Sequence, residues 1–300
     1  MTRTVLVTGA GGFVGRRLVP NLQSAGWHVR AVGRADIGDL SDANDWRPFL
    51  EGVHAVVHLA ARVHRMHENK SSGDAIAAYD RVNRDGTINL GEQAAEAGVN
   101  RFVFLSSVKV HGDTSDAPLE GASPLVPTDP YAVAKADAEH GLLSLQGDMG
   151  VTILRPPLVY GPNVKGNFLK LIQAVERGVP LPLGSLQNRR SLIFVGNLAE
   201  AIRASLTAPP GIYLPSDGAP VSTSHLIRSL SAALGQSARL IPCPTVVLCM
   251  AGRITGKSAS IQRLVGSLIV DGKIPGWTPP FSLEHGLQEI ADWRADLHQS

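Results

Sequence analysis

The stretch Val5-Leu-Val-Thr-Gly-Ala-Gly-Gly-Phe-Val-Gly15 decides the fold of this chain. A short apolar run passes directly into glycines, and Gly9, Gly12 and Gly15 have GxxGxxG spacing. Glycines lack a Cβ atom, so the backbone can turn tightly and approach a pyrophosphate, whose charge is favoured by the free amides at a helix N-terminus. The stretch therefore predicts a strand, a phosphate-binding turn and a helix that open a dinucleotide-binding unit. An ordinary structural turn is the alternative.

Short apolar runs alternate with helix-length amphipathic segments through the first half of the chain. This alternation is typical of βαβ units, whose strands lie parallel in one sheet. We therefore predict an α/β fold with a doubly wound, Rossmann-type parallel sheet. The predicted strands are Thr4–Val7, Val29–Val32, Ala55–His58, Arg101–Leu105 and Thr152–Leu154, and the predicted helices lie near Gly12–Ala25, Asp80–Ala97 and Tyr131–Leu145.

The pattern changes after Arg155-Pro-Pro157, where Pro and Gly recur every few residues. We predict a dinucleotide-binding domain over residues 1–156 and a smaller, less regular C-terminal lobe over residues 157–190 and 217–300. Residues 191–216 are expected to return to the main sheet through two short strands with a helix between them. These elements are predicted at Leu192–Phe194, Asn197–Leu206 and Ile212–Leu214.

Composition excludes several classes of protein. The chain has 300 residues, of which 44% are hydrophobic, and its 28 basic and 26 acidic residues give a net charge of +2. A high apolar content with balanced charge excludes a disordered or fibrous chain. The Lys and Arg residues are scattered, so there is no electrostatic case for nucleic-acid binding, and a small-molecule partner is expected.

The two cysteines, Cys243 and Cys249, cannot form the disulfide framework of a secreted domain, and no Cys/His cluster indicates a metal site. The N-terminal residues run straight into the first strand and lack the pattern of a signal peptide. The nearest approach to a membrane span, Thr245 to Gly252, is shorter than the roughly 18 apolar residues required. We therefore expect a cytoplasmic protein without a metal and without membrane insertion.

The end of the second strand bears on the choice of cofactor. NAD sites usually carry an acid there for the ribose 2′-hydroxyl, whereas an arginine accommodates the 2′-phosphate of NADP. This chain reads Val29-Arg-Ala-Val-Gly-Arg34, without an acid at the strand end, which favours NADP(H). NAD(H) stays possible because Asp36 is close by and Arg34 is also explained as a solvated surface residue.

Two further segments are candidates for cofactor contacts. Asp39-Leu40 precedes the third strand, where it could bond to adenine and pack against it, although a plain turn fits nearly as well. Leu59-Ala60-Ala61 follows the third strand at the carboxyl edge of the sheet, where doubly wound folds bind ligands. The small alanines leave room for a dinucleotide, and His58 before them is expected to be a packed core histidine.

The segment Tyr131-Ala-Val-Ala-Lys135 places a phenol and an ammonium on one face of a predicted helix. A free phenol has a pKa of about 10, and a neighbouring cation lowers that pKa. Ser107 follows the fourth strand at the same carboxyl edge, where its hydroxyl could hold a reacting oxygen. These three residues are the predicted catalytic group for proton transfer to a sugar or alcohol oxygen. A chance helical pair is the alternative.

Together these motifs resemble the extended short-chain dehydrogenase/reductase superfamily, in its NAD(P)-dependent nucleotide-sugar epimerase/reductase branch. The motifs are Thr8 to Gly15, His58 to Ala61, Asn83 with Gly86-Thr87, Ser106-Ser107 with Val110-His-Gly112, Tyr131 with Lys135, and Arg155 to Pro162. The resemblance implies that Ser107, Tyr131 and Lys135 are the catalytic triad, and that Lys135 also bonds the nicotinamide ribose. The chain departs from the family at His111, where many members have Tyr. With the candidates above, the expected cofactor contacts are Gly9, Gly12, Phe13, Val14, Gly15, Arg34, Asp39, Leu40, Leu59, Ala60, Ala61, Tyr131, Lys135 and Pro157.

In that branch the C-terminal lobe binds the nucleoside diphosphate of a sugar nucleotide. The resemblance implies that Arg190 clasps the diphosphate, with the adjacent Arg189 as an alternative, and His64 is a further candidate for the substrate pocket. It also implies a homodimer through the predicted helices near Asp80–Ala97 and Tyr131–Leu145. The implied substrate contacts are Ser107, Val108, Asn167, Leu181 and Arg190.

The stretch Asn163-Val-Lys-Gly-Asn-Phe-Leu-Lys170 is most similar to bacterial enzymes that make UDP-N-acetyl-quinovosamine or UDP-N-acetyl-fucosamine. This similarity implies NADPH-dependent reduction of a UDP-4-keto-6-deoxy-N-acetylhexosamine for surface polysaccharide. A UDP-hexose 4-epimerase of the GlcNAc or glucose type, with tightly bound NAD, is the alternative. A non-catalytic dinucleotide-sensing protein is a third possibility, less favoured because Tyr131 and Lys135 are both present.

Overall fold

The computed structural model describes residues 3–63, 73–115, 117–147, 149–256 and 258–299. The strands in this part of the chain are β1 (Thr4–Thr8), β2 (His28–Val32), β3 (Ala55–His58), β4 (Arg101–Leu105), β5 (Gly150–Leu154), β6 (Leu158–Tyr160), β7 (Leu192–Phe194) and β8 (Gly211–Tyr213). The α-helices are α1 (Gly15–Ser24), α2 (Arg34–Ile37), α3 (Arg47–Leu50), α4 (Gly73–Tyr79), α5 (Gly86–Glu96), α6 (Pro130–Leu143), α7 (Gly166–Glu176), α8 (Val195–Ser205), α9 (Thr223–Ala233), α10 (Thr245–Ile254), α11 (Ser258–Val265) and α12 (Leu283–Gln299).

The larger sheet has six parallel strands in the order β2-β1-β3-β4-β5-β8, which confirms the predicted doubly wound α/β fold. The strand order reverses at β1 and β3, where Thr8 pairs in register with His58. Loops that leave two neighbouring strands in opposite directions open a crevice, and ligands bind there. Gly9 follows β1 and Leu59 follows β3, so the predicted cofactor segments lie at this crevice.

Helices cover both faces of this sheet, as expected for parallel strands that bury both faces. On one face the strands pack against α3, α5 and α6 in a cluster that includes Leu6, Leu50, Leu90, Phe102 and Leu142. On the other face they pack against α1 and α8 in a cluster that includes Val7, Leu18, Leu22, Val57 and Ile202. The sheet is therefore a rigid, dry layer that fixes the positions of the loops at its carboxyl edge.

The chain after β5 differs from the prediction in one respect. The strand β8 joins the main sheet beside β5, as expected, and α8 packs against α1. The predicted return of Leu192–Phe194 to that sheet is wrong, because β7 pairs with β6 in a separate two-stranded parallel sheet. The rings of Tyr160 in β6 and Phe194 in β7 lie 5.8 Å apart in a third apolar cluster, with side chains of α7, α9 and α12. Burial in that cluster holds β7 away from the main sheet.

The helical segment before β4 is longer than the sequence pattern suggests. It begins with α4, passes through a π-helical segment at Asp80–Asp85 and continues as α5. Such wide turns occur often at functional sites. Among the described residues, no helix has both the length and the apolar content needed to cross a bilayer.

Candidate active site

The glycine loop between β1 and α1 has the geometry of a phosphate cradle. Gly9 has a φ of +70°, and its carbonyl oxygen accepts a 2.9 Å hydrogen bond from the amide of Gly12. A Cβ atom at Gly9 would lie 2.8 Å from the amide nitrogen of Ala60, and one at Gly15 would overlap the carbonyl oxygen of Gly9. A Cβ at Gly11 would meet nothing within 4 Å. The loop is close-packed on one side and open on the other, which fits a dinucleotide pyrophosphate.

A cleft of about 530 Å³ borders the open side of this loop. Its lining includes Gly11, Gly12, Phe13 and, from the segment that leads into α7, Lys165. Val14 precedes α1 and packs, together with Phe13, against the third apolar cluster. The N-terminal end of α1 therefore borders open space.

A buried chain of hydrogen bonds joins the ends of β1 and β3 to α5. Thr8 Oγ1 lies 2.7 Å from His58 Nδ1, and His58 Nε2 lies 3.0 Å from Thr87 Oγ1. Thr87 donates its hydroxyl proton to the carbonyl oxygen of Asn83, so it accepts from His58, whose Nε2 then carries the ring proton. Burial, and then the charge of Lys135, lower the pKa of His58 to about 3. His58, which the sequence predicts to be a core histidine, is therefore neutral. Its two hydrogen bonds join the end of β1 to α5 at the carboxyl edge of the sheet.

The loop after β3 is held beside the glycine loop. The amides of Leu59 and Ala60 each donate a 3.2 Å hydrogen bond to Thr8 Oγ1. The side chain of Asn83, in the π-helical segment, bonds both the amide and the carbonyl of Arg62. The predicted cofactor segment that ends at Ala61 is thus fixed at both ends. His64, the further candidate for the substrate pocket, lies outside the described residues.

Tyr131 and Lys135 lie one turn apart on α6, whose N-cap residue is Asp129. The side chain of Lys135 is buried, and its ammonium donates a 2.9 Å hydrogen bond to the carbonyl oxygen of Leu105 at the end of β4. The nitrogen also lies 4.3 Å from the ring centroid of Phe104. The structure therefore places the buried Lys135 side chain at the carboxyl edge of the sheet, one helical turn from the predicted catalytic phenol.

Ser107 follows β4 and caps a 3₁₀ turn, where its hydroxyl accepts a 3.3 Å hydrogen bond from the amide of Lys109. The ammonium of Lys109 forms a 2.5 Å ion pair with Asp129 at the start of α6. Val108, a predicted substrate contact, is buried, and its amide donates a 3.0 Å hydrogen bond to the carbonyl oxygen of Pro156. The turn that carries Ser107 is thus tied to α6 and to the end of β5.

Burial governs the protonation of the predicted catalytic pair. It lowers the pKa of Lys135 to about 7, against the opposing effect of Glu139. It raises the pKa of Tyr131, and the charges of Asp129 and Tyr79 raise it further. Lys135 is not among the groups that shift the pKa of Tyr131 in this arrangement, so the lowering of that pKa by the ammonium stays a prediction. A negatively charged ligand near Lys135 would favour the cation again.

Sequence reasoning missed a buried network next to this pair. Glu139 lies one turn beyond Lys135 on α6, and its carboxylate lies 2.5 Å from the guanidinium of Arg155, which follows β5. The hydroxyl of Ser106 donates to the same carboxylate, and Arg155 Nη1 donates to His111 Nε2 at 3.0 Å. The signal that could have found this network is the four-residue spacing from Lys135 to Glu139, which repeats the spacing of the catalytic pair.

The segment after β2, which is predicted to contact the adenosine of the cofactor, contains both basic and acidic residues. Arg34 forms a 2.8 Å ion pair with Asp39, and both side chains are largely exposed. Asp36 accepts a 2.8 Å hydrogen bond from the amide of Gly33, directly after β2. Leu40 is buried in the core of one sheet face. A carboxylate therefore does lie near the end of β2, although the sequence has none at the strand end itself.

The two adjacent arginines of the lobe have different surroundings. Arg190 Nη1 donates to the carbonyl oxygens of Arg263, at 2.7 Å, and Gly266, at 3.0 Å. Burial lowers the pKa of Arg190. The side chain of Arg189 is exposed. Of the two candidates for the diphosphate, Arg190 is the one enclosed within the lobe.

The other predicted contacts lie on separate elements. Asn167 is exposed on the first turn of α7, and Pro157 is buried between β5 and β6. Leu181 is partly buried, and its amide donates a 2.8 Å hydrogen bond to the carbonyl oxygen of Arg239. Leu181 packs against the third apolar cluster, whereas Ser107 and Val108 follow β4 at the edge of the sheet.

Comparisons with known proteins agree with this geometry. The profile of the NAD dependent epimerase/dehydratase family matches residues 5–214. A UDP-glucose 4-epimerase of Vibrio cholerae is 37% identical over 97% of this chain and 95% of its own length. An N-acetyl-alpha-D-glucosaminyl-diphospho-ditrans,octacis-undecaprenol 4-epimerase of Escherichia coli O157:H7 is 26% identical over 98% of this chain and 96% of its own length.

A solved structure, that of MoeE5 in complex with UDP-glucose and NAD, superimposes with a TM-score of 0.75 at 27% identity. The superposition covers 98% of this chain and 99% of that one. The predicted resemblance to nucleotide-sugar epimerases and reductases is confirmed, and the chain is an enzyme of that type. From its glycine loop through β8, the chain belongs to the NAD dependent epimerase/dehydratase family.

Proposed function

We propose that the protein is an NAD(P)-dependent oxidoreductase acting at C4 of a UDP-sugar, and specifically an NADPH-dependent reductase of a UDP-4-keto-6-deoxy-N-acetylhexosamine in surface-polysaccharide biosynthesis. The observation that carries the proposal is the hydrogen bond from Lys135 Nζ to the carbonyl oxygen of Leu105. This bond fixes the Lys135 side chain at the end of β4, two residues before Ser107 in the chain, and Lys135 is one helical turn from Tyr131. The names of the Vibrio cholerae relative and of the MoeE5 complex support a UDP-sugar and a nicotinamide dinucleotide.

The glycine loop and the start of α1 would bind the pyrophosphate of the dinucleotide, and the corner after β2 would bind its adenosine. When bound, the nicotinamide supplies the hydride for C4. The residues proposed for this site are Gly9, Gly12, Phe13, Val14, Gly15, Arg34, Asp39, Leu40, Leu59, Ala60, Ala61, Tyr131, Lys135 and Pro157.

Side chains of the protein supply the proton that the C4 oxygen takes up. Tyr131 donates its phenolic proton to that oxygen as negative charge develops on it, and Ser107 donates a hydrogen bond to the same atom. The ammonium of Lys135 stabilises the phenolate that remains, until solvent returns a proton. Because burial lowers the Lys135 pKa to about 7, the negative charge of bound ligands is needed to keep this group cationic.

The lobe would hold the nucleoside diphosphate. A guanidinium binds phosphate oxygens through its fork of N–H donors, so Arg190 is proposed as the diphosphate ligand. Its Nη1 is already bonded to two carbonyl oxygens, which fix the direction of the rest of the group. Val108, Asn167 and Leu181 are the other proposed substrate contacts.

A second candidate function is a UDP-hexose 4-epimerase with tightly bound NAD. The hydrogen bond from the Gly33 amide to the carboxylate of Asp36 favours it, because an acid near the end of β2 can bond a ribose 2′-hydroxyl. The relatives of Vibrio cholerae and Escherichia coli O157:H7, both named as 4-epimerases, support the same function. The two candidates share the roles of Tyr131 and Lys135 and differ in whether the cofactor leaves after each turnover.

The test is to denature the purified protein, identify any nucleotide released and determine its molar ratio to the enzyme. Near-stoichiometric NAD would overturn the NADPH reductase in favour of the epimerase. An empty site, or traces of NADP(H), together with NADPH oxidation that depends on a UDP-4-keto sugar, is the result expected here.

We also propose that residues 1–156 and 191–216 form the dinucleotide domain and that residues 157–190 and 217–300 form the substrate lobe. The packing of α8 on α1 and of β8 on β5 supports this division, although β7 pairs within the lobe. A homodimer is proposed through the outer faces of α5 and α6, where Val133 is an exposed apolar residue. Light scattering of Val133→Lys should then report a monomer in place of a dimer.

A further inference from the structure

The helix α10 presents an apolar face to solvent. Its exposed side chains Val246, Val247, Met250 and Ile254 have exposed fractions of 69%, 52%, 56% and 83%. Positions 246, 250 and 254 are one helical turn apart, and position 247 is their neighbour on the same side. The inward residue Leu248 is buried. A surface helix normally turns polar residues outward, whereas α10 has apolar residues on its outward side as well as on its buried side.

Rotation of α10 about its axis cannot bury the apolar face. Gly252 is buried, and a Cβ atom there would lie 2.8 Å from Ile261 Cγ1 of α11, so this side is fixed by close packing. Ile241, shortly before the helix, is a further exposed apolar residue. Scattered exposed apolar residues are normal, whereas a contiguous set on one element marks an interaction surface.

The charge around α10 identifies the kind of partner. Residues 218–270 contain no Asp or Glu and five Lys or Arg residues. The side chains of Arg228, Arg239 and Arg253 are exposed, and none of them forms an ion pair within the described part of the chain. A two-fold dimer through the exposed face of α10 would bring the two copies of Arg253 on that helix together. An anionic surface is complementary to these arginines.

We propose that α10 docks on the surface of an anionic lipid bilayer. The face formed by Val246, Val247, Met250 and Ile254 enters the boundary between headgroups and acyl chains, and Arg253 on the same helix contacts lipid phosphates. The helix has 10 residues, hence a length of about 15 Å, which is half of the roughly 30 Å hydrocarbon core. It therefore lies on the membrane and does not span it. This docking goes beyond the proposed function, which needs no membrane.

Vesicle flotation of the full chain tests the proposal. Vesicles of phosphatidylethanolamine and phosphatidylglycerol at a ratio of about 3:1 should carry the wild-type protein, and vesicles of pure phosphatidylcholine should carry much less. The variant Val246→Ser/Met250→Ser/Ile254→Ser should bind about tenfold or more weakly, because three apolar side chains are lost from the interface. Arg253→Gln should weaken binding to anionic vesicles only, and this difference should shrink as salt is raised.

The matched control is Val126→Ser, which removes an equally exposed apolar side chain far from α10 in sequence and should bind as the wild type does. Urea denaturation of each variant checks that the fold is kept. The proposal is overturned if the wild type stays in solution with anionic vesicles, or if the triple variant floats as well as the wild type. It is also overturned if the triple variant instead changes the molecular mass of the protein, which would make the face a contact between copies.

Discussion

Arg155 Nη2 lies 2.5 Å from Glu139 Oε2, and both side chains are almost completely buried. Removing one partner of a buried ion pair leaves the other charge uncompensated, at a cost of about 3–5 kcal/mol. Glu139→Gln and Arg155→Met should therefore each lower the free energy of unfolding by about that amount. The double variant removes both charges and should lose clearly less than the sum. Urea denaturation of the four proteins measures the coupling, and strictly additive losses would contradict it.

The assignment of Tyr131 as the proton donor predicts a separation of turnover from binding. Tyr131→Phe removes the phenolic proton but keeps the ring that contacts Tyr79. We expect kcat to fall by about 100-fold or more, because a positioned acid typically contributes 10²–10⁴ in rate. Dinucleotide binding, followed by fluorescence titration, should be unchanged. Tyr213→Phe is the control, because within the described chain its hydroxyl bonds only the carbonyl oxygen of Pro209. Full activity of Tyr131→Phe would show that Tyr131 is not the proton donor.

Much of the fold and of the site was predictable because its signals are local. The apolar runs that form β1 to β5 are short and bounded by polar or glycine residues, so their period and ends are visible in the sequence. The glycine spacing marks one loop, and Tyr131 and Lys135 share a face because four residues make about one helical turn. Their grouping with Ser107 stays a prediction, based on parallel strands whose carboxyl ends meet at one edge of the sheet.

The features that were missed depend on contacts between distant segments. The strand β7 has three residues, and only the burial of Phe194 against Tyr160 decides which sheet it joins. The pair of Glu139 and Arg155 joins a helix to a strand end, and the spacing from Lys135 to Glu139 does not by itself show that Arg155 is the partner. The sign of the pKa shift at Tyr131 depends on burial, which a sequence pattern does not measure.

The buried imidazole of His58 predicts a loss of stability in acid. Its pKa is lowered to about 3 in the folded protein, whereas an unfolded histidine titrates near 6.5. Between these values the unfolded chain binds more protons, so stability falls as the pH falls. From pH 7 to pH 5 this residue should contribute a loss of about 2 kcal/mol. His58→Asn should be less stable at pH 7 but should show a pH dependence weaker by that amount in urea titrations. An equal pH dependence in the two proteins would show that the imidazole does not stay neutral.

The chain offers a matched pair of variants for the choice of cofactor. Arg34 and Arg47 each form a 2.8 Å ion pair, with Asp39 and Asp45, and their side chains are 79% and 76% exposed. Only Arg34 directly follows the end of β2 and its Gly33. If its guanidinium binds the 2′-phosphate, Arg34→Ala should raise the Kd for NADPH about tenfold and leave that for NADH unchanged, because a lost hydrogen bond to a charged group is worth about that factor. Arg47→Ala should leave both values unchanged.

Both arginine variants should keep the thermal stability of the wild type, since exposed ion pairs contribute little. A change in affinity can then be attributed to the contact with the cofactor and not to the fold. If Arg34→Ala changes the Kd of neither dinucleotide, or raises both Kd values equally, the guanidinium does not bind the 2′-phosphate. The carboxylate of Asp36, held 2.8 Å from the Gly33 amide, would then be the group that meets the ribose, and the site would be built for NAD.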